Sequence, residues 1–477
     1  MTGIDWLDTG IWVFNYFILF FAFLVMISYL VLAAISARGL TQYLARNRFV
    51  NYQALLSLEN VPRVSLIAPA YNEGRTIEEN VKSLLAINYN NYDVIVVNDG
   101  SKDNSMEVLI AGFQLVRSEI TYVPYIPTKQ VRGIYISTNP AYSKLVVIDK
   151  ENGGKADALN TGINHSQNPY LVCIDVDCIM DKDVLLKLAK PYMEASDSKV
   201  IATGGVVRIA NSCVIKAGKL VDVKAPDNFL ARVQVIEYLR AFILGRMAWS
   251  KMDGLLIISG AFGMFDRDIA MKCGGYSTST VGEDMELIVR MRRYMIDQGL
   301  PYKVQYIPDP LCWTEAPESF KILGKQRSRW MRGTIETLWT HRKMLFNPKY
   351  KILGLLSFPY WFFFEYLAPL VEFTGLIITF ILIYLGIVNW EYFVLFIILV
   401  YVFAVFFSML ALYAEESTFK RYHRIQDLVK LAGVALIEPL YFHPFTVYAS
   451  LKGNWEKLRG NKGWGEMTRK GFEKKPS

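Results

Sequence analysis

The sequence predicts an α/β domain with a mostly parallel sheet that is embedded in a helical membrane region. Residues 9–37 carry no charged side chain and exceed the roughly 20 residues that a membrane-spanning helix needs. Apolar strand patterns then alternate with helical patterns, which is typical of a parallel sheet. Long apolar stretches return after residue 351. We therefore expect four segments: a membrane helix with its basic flank at 1–48, a soluble domain at 49–346, interfacial and membrane helices at 347–451, and a basic tail at 452–477.

The soluble block contains its strand and helix patterns in a regular order. Strands are expected at 64–69, 92–98, 144–148 and 170–174, and helices at 76–87 and 155–165. A loop or hairpin is expected at 118–141, an irregular insertion at 211–226 and an amphipathic helix at 229–251. Ligands of parallel sheets bind beyond the carboxyl ends of the strands. Asp99 and Asp175 each follow a strand and are therefore expected at the ligand-binding edge.

Basic residues at both ends of the soluble block place it in the cytoplasm. Acidic residues precede the first apolar segment, whereas Arg38, Arg46 and Arg48 follow it. Residues 342–351 add further basic side chains at the far end of the block. Such an excess marks the cytoplasmic side of a membrane protein. The net charge of +8 fits anionic lipid headgroups better than nucleic acid, and the five cysteines have neither zinc nor redox spacing.

The later apolar segments leave the number of membrane crossings open. Residues 392–414 are uncharged and long enough to span. Residues 352–390 fit either an interfacial helix with one span or a hairpin of two. Residues 428–451 contain two prolines and are expected to be broken or re-entrant. The basic tail favours the cytoplasm, so an even number of crossings is expected after the soluble block.

Asp175 and Asp177 form an Asp-x-Asp motif directly after an apolar strand. Two carboxylates at this spacing can converge on one divalent cation, and Mg²⁺ or Mn²⁺ takes such ligands together with substrate phosphates. The metal would offset the negative charge of a diphosphate leaving group. The alternative is an ordinary solvated turn, in which aspartate is common.

Three further features fit a bound nucleotide. Asp99 ends a strand, where its carboxylate can accept hydrogen bonds from a base or ribose, and Tyr71 and Glu73 follow the first strand at the same edge. Lys155 comes after two glycines at the start of a helix, which suits a phosphate. Each feature also has a plain structural explanation, because Asn-Asp-Gly-Ser and glycine-rich segments are common in turns.

A candidate general base follows a turn of small residues. Ser259 and Gly260 lie in a turn that would let a sugar approach the backbone closely. Glu283 and Asp284 come next, and a carboxylate there can take the proton from an incoming hydroxyl. Considered alone, Asp284 fits a helix-capping acid better, because a first-turn carboxylate is favoured by the helix dipole.

A possible clamp for the diphosphate comes last in the soluble block. Gln326, Arg329 and Trp330 share one face of a helix. The guanidinium of Arg329 can bind phosphate oxygens in a fork, and the ring of Trp330 can stack on a pyranose. The alternative is an interfacial basic helix, because Arg327 and Arg332 lie in the same stretch and a membrane segment follows.

Taken in order, these motifs resemble the processive family-2 glycosyltransferases, which include cellulose, chitin, hyaluronan and poly-N-acetylglucosamine synthases. The resemblance covers residues 64–333 and implies a glycosyltransferase A-type, Rossmann-like cytoplasmic domain. It is strongest to the poly-N-acetylglucosamine type at 311–313, 317–318 and 325–327. The chain departs from the family pattern at Gly282, where threonine is common, and in having one span before the domain and no counterpart of the cellulose synthases' gating loop.

The resemblance implies a role for each candidate residue. Donor contacts would come from Tyr71, Glu73, Asp99, Lys155, Asp175, Gln326 and Arg329. Acceptor contacts would come from Ser259, Gly260, Glu283 and Trp330. Asp177 would bind the cofactor, Mg²⁺ or Mn²⁺, and Asp284 would be the general base. The implied reaction is a single inverting displacement from UDP-N-acetylglucosamine or UDP-glucose, which elongates a β-linked polysaccharide and exports it through the membrane helices.

The expected partners are a UDP-sugar, a growing glycan and the lipid bilayer, with room for an accessory export or regulatory subunit and with no nucleic acid. The expected location is multi-pass in the bacterial inner or plasma membrane, with the catalytic domain in the cytoplasm. Two rival functions stay open. One is the transfer of a single sugar to a lipid or short glycan. The other is a transporter or channel with a regulatory domain, because ionisable residues within apolar segments often mark permeation paths: Glu365, Glu372, Glu438 and His443.

Overall fold

The computed structural model describes residues 4–57, 61–120, 124–216 and 218–460. Its strands are β1 Val64–Ala70, β2 Tyr92–Asp99, β3 Leu115–Ser118, β4 Val131–Ser137, β5 Leu145–Lys150, β6 Tyr170–Ile174, β7 Ile179–Met180, β8 Lys199–Ile209, β9 Val214–Lys216, β10 Lys219–Asp222, β11 Phe262–Asp266 and β12 Tyr302–Thr314. Its α-helices are α1 Ile4–Asn47, α2 Tyr52–Leu56, α3 Ile77–Leu85, α4 Ser105–Phe113, α5 Lys155–His165, α6 Val184–Met193, α7 Phe229–Leu239, α8 Met247–Lys251, α9 Arg267–Lys272, α10 Glu283–Asp297, α11 Phe320–Thr340, α12 Phe358–Tyr360, α13 Ala368–Tyr384, α14 Trp390–Thr418 and α15 Ile425–Leu458. Helical turns of π type lie at Arg240–Arg246, Leu353–Ser357 and Trp361–Tyr366, and 3-10 turns lie at Pro140–Tyr142, Arg342–Met344 and Pro348–Tyr350.

A ten-stranded sheet forms the centre of the soluble block, in the order β3-β4-β5-β2-β1-β6-β11-β8-β12-β7. The neighbours β5, β2, β1 and β6 run parallel to one another. Their apolar residues follow one another without alternation, because helices cover both faces of a parallel sheet. The register pairs Asp99 with Lys150, so the carboxyl ends of β2 and β5 reach the same edge. The four predicted strands and two predicted helices are confirmed to within two residues.

The segments expected to be irregular carry strands. Residues 118–141 contribute β4, which pairs antiparallel with both β3 and β5 and extends the sheet at its edge; residues 121–123 lie outside the described part of the chain. Residues 211–226 form the two-stranded ribbon β9–β10, which is separate from the main sheet. The helix expected at 229–251 is formed as one helical run in which a π turn joins α7 to α8.

Four helices are long and apolar enough to cross a membrane, within the described residues: Thr9–Asn47, Leu353–Tyr384, Trp390–Thr418 and Ile425–Leu458. The expected span at 392–414 therefore lies inside α14. The segment at 352–390 forms one helical run that ends at Tyr384, and the hairpin of two spans is not formed.

Helix α15 lies against the soluble block at both of its ends. Near its start, Lys430 Nζ lies 3.4 Å from Asp227 Oδ1, and near its end, Lys457 Nζ lies 2.7 Å from Glu336 Oε1. Between these points it packs on α7, α11 and α14. The expectation of a broken segment is wrong, because the helix continues through its two internal prolines. Packing along its length offsets the hydrogen bonds that proline removes.

Candidate active site

Two loops at the carboxyl edge of the sheet are joined by hydrogen bonds. The backbone N–H of Asn72 donates to Ser101 Oγ over 3.0 Å, and the N–H of Lys102 donates to Asn72 Oδ1 over 2.8 Å. Asn72 has a φ of 57°, a left-handed conformation that asparagine adopts more readily than most residues. Tyr71 and Glu73 flank it, and the Tyr71 ring is exposed. The loops after β1 and β2 therefore form one surface at the predicted nucleotide edge.

Asp99 is buried, and its carboxylate accepts hydrogen bonds from neighbouring protein groups. Lys150 Nζ donates to Oδ1 over 2.7 Å, and the backbone N–H groups of Gly153 and Gly154 donate to Oδ1 and Oδ2 over 2.9 and 2.8 Å. Asn152 adds a bond of 3.2 Å to Oδ2. In this arrangement Asp99 organises the glycine loop that starts α5. Its direct contact with a nucleoside stays a prediction.

Lys155 and Asp175 form an ion pair at the centre of the site. Lys155 Nζ also donates to the Gly260 carbonyl oxygen over 2.9 Å. Burial disfavours the charged ammonium, but the carboxylates of Asp175 and Glu283 outweigh burial and raise the pKa of Lys155. The turn containing Gly260 lies beside Asp175 because β11 pairs antiparallel with β6. The pair therefore fixes the ammonium of Lys155 at the ends of the strands, where a phosphate would be bound.

The Asp-x-Asp motif offers a donor set that suits a hard divalent cation. Ligand atoms of Asp175, Asp177 and Cys178 all lie within 4.8 Å of one another. A hydrogen bond with Cys312 and burial raise the pKa of the Cys178 thiol well above its usual range. The two carboxylates match the oxygen preference of Mg²⁺ and Mn²⁺. Asp175 and Asp177 are thus the residues that fit a metal.

Asp284 lies in the first turn of α10, where the helix dipole favours its negative charge. Its Oδ2 accepts a hydrogen bond of 2.8 Å from the Gly260 N–H. The adjacent Glu283 is buried, and burial together with the charge of Asp284 raises the pKa of Glu283 to about 7 against the opposing charge of Lys155. The two acids therefore differ in their surroundings, with Asp284 partly open and Glu283 enclosed.

A contact between two glycines holds α10 against α11. A Cβ at Gly282 would lie 2.7 Å from the Gly333 Cα, and a Cβ at Gly333 would lie 2.6 Å from the Gly282 Cα. Any larger side chain would meet backbone at these positions. The approach sets the distance between the candidate base on α10 and the clamp residues on α11.

The clamp residues lie on α11, with the Trp330 ring 40% exposed. The Arg327 guanidinium lies 4.1 Å from the centroid of that ring, which is cation–π geometry. Arg327 itself is fixed by Glu237, at 2.5 Å. Arg327, one of the basic residues that suggested an interfacial helix, is thus buried and packs on the indole ring of Trp330.

One cavity of about 1330 Å³ joins the catalytic side of the soluble block to the membrane helices. From the predicted set it is lined by Lys155, Asp175, Ser259, Gly260, Glu283, Asp284, Gln326, Arg329 and Trp330. From the membrane helices it is lined by residues that include Tyr29, Glu365, Glu372, Glu438 and His443. Tyr71, Glu73, Asp99 and Asp177 are not in its wall. The structure therefore brings nine of the predicted residues together around one space.

Three cavity residues on one helical run were not predicted from the sequence. Glu237, Arg240 and Arg246 lie on α7 and the π turn that follows it, and all three line the cavity. Their signal in the sequence is a charge at positions 237, 240 and 246 within a mainly apolar helical run. That signal does not reveal what the charges face, because their partners are distant along the chain.

Comparison with known proteins identifies the family. Residues 62–333, more than half of the chain, match the family described as glycosyltransferase-like family 2, and residues 277–441 match a family described as chitin synthase. Poly-β-1,6-N-acetyl-D-glucosamine synthase of Staphylococcus aureus strain COL is 26% identical over 290 residues, which cover 61% of this chain and 58% of the relative. The same enzyme of Staphylococcus epidermidis is 28% identical over 282 residues, covering 59% and 56%. The match thus spans less than two thirds of these relatives.

Among solved structures, a mannosyltransferase of Pyrobaculum calidifontis in complex with GDP-mannose and Mn²⁺ shares 17% identity, with coverage of 92% and 99% and a TM-score of 0.48. That likeness is too remote to support an argument about activity. The mixed sheet and the family match confirm the predicted α/β fold of the glycosyltransferase A type. The chain belongs to glycosyltransferase-like family 2, and it is a glycosyltransferase.

Proposed function

We propose that this glycosyltransferase transfers N-acetylglucosamine from UDP-N-acetylglucosamine to the growing end of a β-linked polysaccharide, and that the product leaves through the membrane helices. The continuous cavity carries this proposal. It links Asp284 and the clamp to the membrane helices without an intervening wall. A polymer that is exported as it grows needs such a path.

The side chains of the site have the chemistry for a single inverting displacement. Asp284 takes the proton of the acceptor hydroxyl, whose oxygen forms the new bond to C1 of the donor sugar as the bond from C1 to the diphosphate breaks. Gln326 and Arg329 hold the diphosphate, and Lys155 adds a positive charge near it. Mg²⁺ or Mn²⁺ bound by Asp175 and Asp177 would neutralise charge on the leaving UDP.

Three observations favour a polymer as the product. The relatives named above are polysaccharide synthases, and residues 277–441 match a family described as chitin synthase. The Trp330 ring faces the cavity, where it can stack on a sugar ring. The cavity is lined by carboxylates and cations within otherwise apolar helices, which marks a path for polar ligands.

We also propose a membrane topology, and the contacts of α15 support it. A soluble block lies on one side of a membrane, and both ends of α15 are bonded to that block. We therefore assign α15 to the membrane surface. Two helices that follow the soluble block then cross the membrane, Leu353–Tyr384 and Trp390–Thr418. Two crossings are an even number, in agreement with a cytoplasmic basic tail.

The proposal is tested by turnover with single donors. Purified protein in nanodiscs receives Mn²⁺ and either UDP-[¹⁴C]N-acetylglucosamine or UDP-[¹⁴C]glucose, and the labelled product is sized by gel filtration. We expect a large product from the N-acetylated donor, and none from Asp284→Asn. Preference for UDP-glucose would correct the sugar, and a label found on a single lipid or short glycan would establish the non-processive alternative. No turnover of either donor would refute the proposal.

A further inference from the structure

Arg246 is a charged residue in the cavity wall that has no role in the displacement described above. It ends the π turn Arg240–Arg246, and π turns inside helices occur often at functional sites. Its guanidinium lies 4.0 Å from the centroid of the Phe242 ring. Its Nη1 is buried without a hydrogen-bond partner among the residues that the structure describes. A donor group therefore faces the cavity and lacks an acceptor.

The other arginines around this part of the cavity are paired. Arg240, at the start of the same π turn, donates to both oxygens of Glu438 over 2.9 Å and to Ser408 Oγ over 2.7 Å. Arg327 pairs with Glu237. A buried N–H group without an acceptor is costly, and burial lowers the pKa of Arg246. Among the described residues the buried Nη1 of Arg246 therefore lacks an acceptor, and a bound ligand would supply one.

The charges nearby indicate which kind of acceptor fits. Glu283 and Asp284 share the cavity wall with Arg246, and the charge of Asp284 acts on its guanidinium. A sugar carboxylate placed at Arg246 would be repelled by these acids. A neutral carbonyl oxygen accepts the same hydrogen bonds without that repulsion. The acyl oxygen of a 2-acetamido sugar has this chemistry.

We propose that Arg246 donates hydrogen bonds to the acyl carbonyl oxygen of a 2-acetamido sugar at the acceptor end of the cavity, and so determines acceptor specificity. The assignment rests on the proposed function, because it requires the glycan to occupy the space beside Asp284. Arg246 would thus form an acceptor subsite on the π turn, and the terminal sugar would bind there before the next transfer.

The test compares two neutral trisaccharides that differ at the 2-position. Triacetylchitotriose carries acetamido groups, and cellotriose carries hydroxyl groups in their place. Binding to the full chain in nanodiscs, with UDP and Mg²⁺ present, is measured by titration calorimetry. We expect the wild type to prefer triacetylchitotriose by about tenfold or more, since a hydrogen bond to a charged group is involved. In Arg246→Gln this preference falls to near unity, and Arg246→Lys, which keeps the charge but not the fork, is intermediate.

Arg232→Gln is the matched control. Arg232 lies on α7, outside the cavity wall, and donates to the backbone oxygens of Pro226 and Asp227. It should keep the wild-type preference and the same thermal unfolding midpoint. A preference that is equal in the wild type, Arg246→Gln and Arg246→Lys overturns the assignment. So does tighter binding of a uronate-containing trisaccharide that is lost in Arg246→Gln, because the partner would then be a carboxylate. Failure of the proposed function is separate, since it is a lack of wild-type turnover with UDP-N-acetylglucosamine rather than an unchanged binding ratio.

Discussion

Substitution of Gly333 by alanine tests whether the helix contact sets the catalytic geometry. The new Cβ would lie 2.6 Å from the Gly282 Cα, whereas ordinary van der Waals contact begins at 3.4 Å. Because the obstructing atom is backbone, α10 and α11 must separate by about 0.8 Å, the difference between these two distances. The separation moves Asp284 away from Arg329 and Trp330, which lie on the other helix. A displacement near 1 Å costs about a hundredfold in rate when groups must be aligned for reaction.

The assay is the initial rate of labelled sugar transfer by purified protein in nanodiscs, with donor saturating. Gly433→Ala is the matched control, since Gly433 is also helical and a Cβ there meets nothing within 4 Å. We expect Gly433→Ala to keep the wild-type rate and Gly333→Ala to lose about a hundredfold while the protein still folds. Folding is checked by the thermal unfolding midpoint. A Gly333→Ala rate within twofold of the control would refute the idea that this contact sets the distance from base to clamp.

Three further predictions concern the acids. Asp177→Asn should weaken the activating affinity for Mn²⁺, measured by titrating the metal against the transfer rate, and an unchanged affinity would remove Asp177 as a ligand. Asp99→Asn leaves the buried Lys150 short of one counter-charge and should lower the free energy of unfolding by about 3 kcal/mol, measured by denaturant titration; a change below about 0.5 kcal/mol would show that Asp157 alone satisfies the lysine. The pKa of Glu283 is raised from 4.5 to about 7, so the folded protein binds the carboxyl proton more tightly than the unfolded chain does. The stabilisation from this proton is present below pH 4.5 and is lost as the pH rises to about 7. Glu283→Gln should lack this decline in the unfolding free energy, and an identical pH profile would contradict the raised pKa.

Local sequence patterns predict the centre of the fold well. Strands β1, β2 and β6 are short, mainly apolar runs that end at Ala70, Asp99 and Ile174 and are followed by turn or acidic residues, so composition alone indicates both type and boundary. Strand β4 lies in the segment expected to be a loop or hairpin and pairs antiparallel with β3; its half-exposed residues and the glycine at its third position leave its bounds without a clear signal in the sequence. Helix α15 was expected to break at its prolines because propensity considers the segment in isolation. Packing along three other helices decides the outcome.

The sequence predicts which residues belong to the candidate site, but it does not predict which side chains contact one another there. The sequence placed Asp99 at the correct edge, but Lys150, 51 residues later, is what holds its carboxylate. The same holds for the glycine contact between α10 and α11, which joins positions that no short motif connects. Arg246 lies within a predicted helix, yet the lack of an acceptor for its Nη1 among the described residues is visible only when the cavity around it is formed.

The most direct test of polymer synthesis along the cavity is product length at low turnover. The wild-type protein is incubated with UDP-[¹⁴C]N-acetylglucosamine for a short time, with enzyme in excess over new chains, and the labelled glycans are sized. If the growing chain stays in the cavity between additions, long products appear while most enzyme molecules have made none, and Asp284→Asn yields no labelled glycan. A product that is a single sugar, or a ladder that lengthens uniformly across all chains, would contradict processive synthesis through this cavity.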